Sequence, residues 1–208
     1  THTLVSHARY ADDVIAKYSA EKCEFKGKKG IAAGGGSKYI ADFESLDVHS
    51  ITQNIVLNTI ISTTRGGGFT QPYYYGGRTY YINTGSVAGY DATLKAAQKK
   101  DIVVEAIILT PTGSGYTDPE CTGGYYTMPN MTTALATNYY AASLDYLARR
   151  YSTGENGRIH HWIMHNEVDQ GDTWTNMGSQ PEMRFYDRYI KSMRLCYNIV
   201  RQYDQNAS

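Results

Sequence analysis

Short apolar runs alternate with stretches of helical period along most of the chain, and this alternation restricts the fold more than any single motif. The clearest run covers residues 102–109, Ile-Val-Val-Glu-Ala-Ile-Ile-Leu, and stops at Thr110-Pro111. Similar runs cover 29–33, 51–61 and 159–165. Such runs, rich in β-branched residues, read as buried strands. Between them lie helical patterns. Ser37 can cap a helix over 38–46 with Tyr39, Ile40, Phe43 and Leu46 on one face. A second helix starts at Ser86 or Asp91 and runs to about residue 100. Thr132 or Thr133 caps a third, to 151, carrying Leu135, Tyr139, Ala142, Tyr146 and Leu147. Pro181 opens a fourth, to 203, with Tyr189, Met193, Cys196 and Val200 on one side. Gly76-Gly77, between the aromatic runs 72–75 and 78–82, signals a β-hairpin. Residues 1–28 read as a polar lead-in with a short helix around 10–18.

The order is therefore β-α-β-(hairpin)-α-β-α-β-α. It predicts an α/β fold with a parallel sheet and right-handed crossovers. Four such units make either an open doubly wound sheet or the first half of a (β/α)8 barrel. The segments after the strands are long and rich in Gly and Tyr, whereas those before them are short. That asymmetry puts function at the C-terminal ends of the strands in either architecture.

Composition removes several function classes. Lys+Arg 20 balances Asp+Glu 20, so the basic excess of a nucleic-acid binder is missing. No apolar stretch is long enough to span a bilayer, so no membrane is expected as partner. Cys23, Cys121 and Cys196 are far apart and form no CxxC pair, which disfavours a zinc site or a dithiol centre. Two glycosylation-type triplets occur, Asn130-Met131-Thr132 and Asn206-Ala207-Ser208. Tyrosine is abundant, 20 against Phe 4 and Trp 2. Its apolar face and polar tip suit wet clefts that stack sugar rings, and equally a polar-tipped core or an interface.

Among the motifs, Gly34-Gly35-Gly36 sits between a strand and a helix, where an anion could meet free N–H groups. Neither phosphate-loop pattern is met, and a tight turn is the expected role. The segment His160-His161-Trp162-Ile163-Met164-His165-Asn166-Glu167-Val168-Asp169 carries the most chemistry. On a strand, His161, Ile163, His165 and Glu167 share one side and Trp162, Met164 and Asn166 the other. His161 and His165 have the i,i+4 spacing of a zinc helix but lie on a strand pattern, and Trp162 rather than Glu follows His161, so no metal and no cofactor is expected, a transition metal on a His161/His165/Glu167 strand cluster being the minor alternative. Asp169-Gln170-Gly171-Asp172 reads as a solvated acidic loop rather than a calcium loop.

Asn166-Glu167 at the end of a fourth strand resembles the large clan of retaining glycoside hydrolases built on the TIM barrel, and residues 162–167 resemble its W-x-x-x-N-E strand. Where that clan has Pro or Ala after the pair, this chain has Val168. The resemblance implies residues 29–208 as the first half of a (β/α)8 barrel with a hairpin inserted after the second strand. It implies Glu167 as general acid/base and Asn166 as the hydrogen-bond partner of the sugar 2-hydroxyl. His165 would orient Glu167, and Trp174, Tyr73, Tyr75, Tyr116 and Tyr126 are candidates for sugar stacking, with Tyr74 and Tyr125 beside them. The clan's nucleophile ends the seventh strand, and no residue of this chain matches it. A barrel takes about 250 residues, so the missing half is expected from a longer chain or a second subunit. The partner implied is an oligo- or polysaccharide, and the location extracellular or periplasmic. A non-catalytic carbohydrate-binding or structural protein on a barrel-derived fold is the rival reading.

Overall fold

The computed structural model describes residues 16, 20–32 and 36–208. Apart from Ala16, the helix expected over 10–18 lies outside the described residues, as do Gly34 and Gly35. The elements in chain order are β1 (Gly30–Ile31), α1 (Ser37–Ile40), β2 (Ser50–Val56), β3 (Ile61–Ser62), β4 (Phe69–Tyr75), β5 (Arg78–Asn83), α2 (Thr84–Gln98), β6 (Val103–Leu109), α3 (Ala134–Tyr151), β7 (His161–Ile163), α4 (Gly171–Trp174) and α5 (Glu182–Val200). The fold is mixed α/β, as the alternation predicts.

Strands β1, β2, β6 and β7 lie side by side in that order, every neighbouring pair parallel. Chain order and spatial order agree, with no reversal. A second, antiparallel sheet has the order β3-β5-β4. Its hairpin turns at Gly76 (φ 56°) and Gly77 (φ 78°). Two positive φ angles in succession give the mirror-image turn whose twist matches the flanking strands.

The parallel sheet has two unlike faces. Ile51, Ile55, Val104, Ala106, Ile108 and Trp162 join the core with Leu94, Leu144, Leu147, Ala148, Cys196 and Val200 from the helices. Val103, Ile107 and Leu109 point the other way and stand outside that cluster. Register places Thr52 beside Glu105 and Glu105 beside His161 in one row, and Asn54, Ile107 and Ile163 in the next. Most of these side chains are half-buried. Helices therefore cover one face, and the opposite face is mixed, with buried Val103, Ile107 and Leu109 among half-buried polar side chains.

Two helix starts, those of α3 and α5, follow the sequence, whereas α2 begins at Thr84, ahead of the Ser86 or Asp91 start expected. Asn83 caps α2 by accepting from Ser86 N at 3.2 Å, and Thr133 caps α3 by accepting from Ala136 N at 3.1 Å. Pro181 directly precedes α5. Other elements are shorter than expected. The run 51–61 is split: β2 ends at Val56, Leu57–Thr59 is a 3-10 turn, and Ile61 enters the second sheet. One β-branched run thus serves two sheets. Helix α1 lacks a Ser37 cap; Gly36 holds the N-cap position and makes no side-chain bond. After four residues it tightens into a 3-10 turn, Ala41–Phe43, which buries Ile40 and Phe43 but leaves Tyr39 and Leu46 about half exposed. Strand β7 begins at His161, because the His160 ring accepts from Val104 N at 3.0 Å and takes the place of a ladder bond.

The tyrosines explain themselves largely by this packing. Tyr116 is 1% exposed, stacks on Tyr139 at 4.3 Å and bonds Ser143 Oγ at 2.7 Å. Tyr139 donates to Ile61 O at 2.7 Å, and Tyr140 to Met164 Sδ at 3.1 Å. Asp145, buried on α3, accepts from Tyr73 and, at 2.8 Å, from Tyr203. Tyrosine here fills core volume while its hydroxyl satisfies polar atoms that phenylalanine would leave without partners.

Candidate functional site

Two long segments leave the C-terminal ends of β6 and β7 and meet above the sheet. Backbone bonds knit them: Tyr126 N to Thr173 O (3.0 Å), Asn176 N to Tyr126 O (3.3 Å) and Met128 N to Asn176 O (3.2 Å), while Thr127 N to Thr110 O (2.9 Å) folds the first segment back on itself. Asn176 is the knot. Its side chain, 6% exposed, accepts from Thr122 N at 2.9 Å and Gly178 N at 3.0 Å, and donates to Asp172 O at 3.1 Å. Sequence reasoning missed it; the Asn-x-Gly spacing signals a turn, but not a bond to residue 122. From α5, Arg188 pairs with Asp118 at 3.3 Å and Arg184 with Glu120 at 2.7 Å, fastening the first segment from outside. Burial raises the Asp118 carboxyl above its usual range, with Arg188 acting against it.

This knot presents Trp174 and Tyr126 as a parallel stack, ring centroids 5.1 Å apart and planes within 5°. The Trp174 indole Nε1–H donates to Glu167 Oε2 at 2.9 Å. Glu167 is exposed, and its φ is 37°, in the left-handed region that side chains with a Cβ seldom adopt. The turn that follows closes with Gln170 N on Glu167 O at 2.8 Å. Asn166, half-buried, precedes it in the chain. Sequence-derived Asn166, Glu167, Trp174 and Tyr126 therefore stand at one rim.

The other expected members lie elsewhere. His165 does not orient Glu167. It is 4% exposed; its Nδ1 donates to Ile108 O at 3.0 Å and its Nε2 meets Ser192 Oγ at 3.2 Å. The strand ends at Ile163, so the alternation that put His165 beside Glu167 does not extend that far. Burial pulls His165 down to about 4, so it is a neutral core residue near pH 7. Tyr116 is wholly internal, and Tyr73 and Tyr75 pack against the hydrophobic core from β4. None of these three tyrosines joins the rim. His161 lies on the face opposite the helices, stacked on Phe25 at 5.7 Å, with Nδ1 bonded to Ser208 Oγ at 2.7 Å. The two histidines thus serve different neighbourhoods. Among the described residues, no three His, Cys, Asp or Glu side chains converge to hold a metal ion.

The arrangement offers an exposed carboxylate fixed by an indole N–H, an amide beside it, and a flat aromatic platform. Such a set can bind a ring with polar edges and move a proton at one of its oxygens.

Against known proteins, residues 21–208 match the model of a family described as "Family of unknown function (DUF5722)". The chain belongs to that family. No curated protein matches it.

Proposed function

We propose that this member of the DUF5722 family is a glycoside hydrolase with Glu167 as general acid/base, built on the first half of a (β/α)8 barrel. The observation that carries the reading is Glu167 itself. It follows the fourth parallel strand, in a left-handed backbone conformation, with its carboxylate bonded to Trp174 over a Trp174–Tyr126 platform. Backbone outliers of this kind concentrate at functional sites.

Two features support the half-barrel. Four parallel strands run in chain order without the reversal of a doubly wound sheet. Helices cover only one face, whereas an open parallel sheet is normally covered on both. The wall of a barrel has helices outside and an inner face closed by the strands opposite. The outer edge of β7 fits a further strand: Trp162 N already donates to Ser208 O at 2.7 Å. An apolar groove of about 470 Å³ lies beside it, between β7 and α5.

In the proposed reaction the Glu167 carboxyl protonates the glycosidic oxygen as the sugar carbon leaves it and bonds to a partner carboxylate, which water later displaces. The same group then takes a proton from water that attacks the sugar carbon. Asn166 bonds the neighbouring 2-hydroxyl, Trp174 fixes one Glu167 oxygen, and the aromatic stack carries a sugar face. The partner carboxylate comes from the other half of the barrel. The test is Glu167→Gln in the full-length protein. Turnover of glycosides with poor leaving groups should fall about 10²- to 10⁴-fold, with substrate still bound. Unchanged turnover overturns the assignment. Sugar binding without turnover in either form favours the second reading, a carbohydrate-binding protein, which the exposed Tyr125 beside the stack also suits.

A further inference from the structure

We propose that this rim is built for a neutral polysaccharide laid across it as an extended chain, and that it rejects polyanionic glycans; the proposal rests on the carbohydrate reading above. Charge is the first argument. Residues 110–133 and 164–181, the two segments that form the rim, contain five carboxylates and no Lys or Arg. Two of the five, Asp118 and Glu120, are neutralised from α5 by Arg188 and Arg184. Lys191, one turn further on, is taken by Asp187 at 2.7 Å. The nearby cations of α5 are thus already engaged. Glu167, Asp169 and Asp172 remain exposed, and among the described residues none of the three has an ion-pair partner. These three carboxylates fall within one short loop, so at physiological salt, where screening takes about 8 Å, their fields act together. A uronate or sulfate on a sugar stacked at Trp174 would enter that field with no guanidinium or ammonium to receive it.

Shape is the second argument. A site for one terminal sugar encloses it, whereas this carboxylate is exposed and bonded to the edge of one indole. Tyr125, 79% exposed, directly precedes Tyr126 of the stack in the chain. Phe185 of α5 lies against Gly171 of α4, and Tyr186 beside it is 47% exposed. Aromatic faces spread over two segments and a helix suit several consecutive sugar rings. Neutral rings bring apolar faces and hydroxyl edges, and they carry no charge to be repelled.

The test is native affinity electrophoresis of the full chain. One set of gels contains soluble neutral polymers (mixed-linkage β-glucan, xyloglucan, arabinoxylan, galactomannan). The other contains acidic ones (polygalacturonate, alginate, chondroitin sulfate). Retardation of at least about twofold is expected in one or more neutral gels and in no acidic gel. Trp174→Ala should migrate freely, with circular dichroism confirming that the variant is folded. If Trp174→Ala fails to fold, Tyr125→Ala, at an exposed position, takes its place and should weaken retardation. Retardation in an acidic gel, no retardation in any neutral gel, or platform variants that behave like the parent would overturn the proposal. Its failure is separable from failure of the hydrolase reading. A neutral polymer that is bound but never cleaved removes the hydrolase and keeps this rim. Cleavage of an acidic polymer does the reverse.

Discussion

Glu167 sits at φ 37°, where a Cβ crowds the following carbonyl and costs about 1–2 kcal/mol. Glycine has no such cost. Glu167→Gly should therefore be more stable than Glu167→Ala by about 1 kcal/mol, measured by urea unfolding. At an ordinary position the order reverses, because glycine loses more freedom on folding. Equal stabilities would mean that the left-handed conformation is not held in solution. The same residue shows how far reading by position can go. Asn166-Glu167 was legible because a dipeptide at a strand end is a local pattern. His165 was not, because the alternation needs a strand over 159–165 and the chain forms one only over His161–Ile163. The packing of Tyr73, Tyr75 and Tyr116 against the core was not legible either, because composition counts phenols without saying where they point. Asp145 and Ser143, which take the Tyr73 and Tyr116 hydroxyls, are far away in sequence.

Between elements, glycine does two different jobs. Gly77 turns the β4–β5 hairpin at φ 78°, and a Cβ there meets nothing within 4 Å. Gly157 precedes β7 at φ 88°, and a Cβ there would lie 2.4 Å from Leu94 C, in the backbone of α2. Gly77→Ala should cost about 1 kcal/mol, the conformational penalty alone. Gly157→Ala should cost more than about 3 kcal/mol, because α2 must move off the sheet. Thermal unfolding of the two variants checks this, and similar losses would refute the close approach. The hairpin was legible from Gly76-Gly77 between aromatic runs, since turn chemistry is local. The packing at Gly157 was not, since its reason lies on a helix some sixty residues earlier. The same holds for the loops. Their length and Gly content marked the functional end of the sheet, but the Asn176 bonds that shape the rim join residues 122 and 176 across α3 and β7.

For the molecule as a whole, the order of strands and helices was the most legible property, because each hydrophobic run reports its own period. What the pattern could not distinguish was a sheet with one covered face from a sheet with two, since that depends on which strands lie opposite. The buried histidines give the whole fold a pH dependence. Burial and the Arg158 charge pull His160 down to about 4, and burial pulls His165 to about 4, against 6.5 for the free side chain. Each binds a proton on unfolding at pH values where the native state does not. Stability should therefore fall as pH drops from about 6.5 toward 4, by about 1.4 kcal/mol per pH unit for each histidine. Urea unfolding at pH 7, 5.5 and 4.5 checks the slope, and His165→Gln should remove about half of the histidine contribution. A flat profile would show that both rings ionise as readily folded as unfolded.

Trp174 gives the rim an optical signal of its own. The chain has only two tryptophans, and the other, Trp162, is 9% exposed beneath the helices. Indole emission depends on what the N–H donates to and on what covers the ring. With Trp162→Phe, all the indole emission, excited to the red of tyrosine absorption, comes from the residue that holds Glu167 and carries the sugar platform. Occupancy of the site can then be followed in unlabelled protein, before any substrate has been identified.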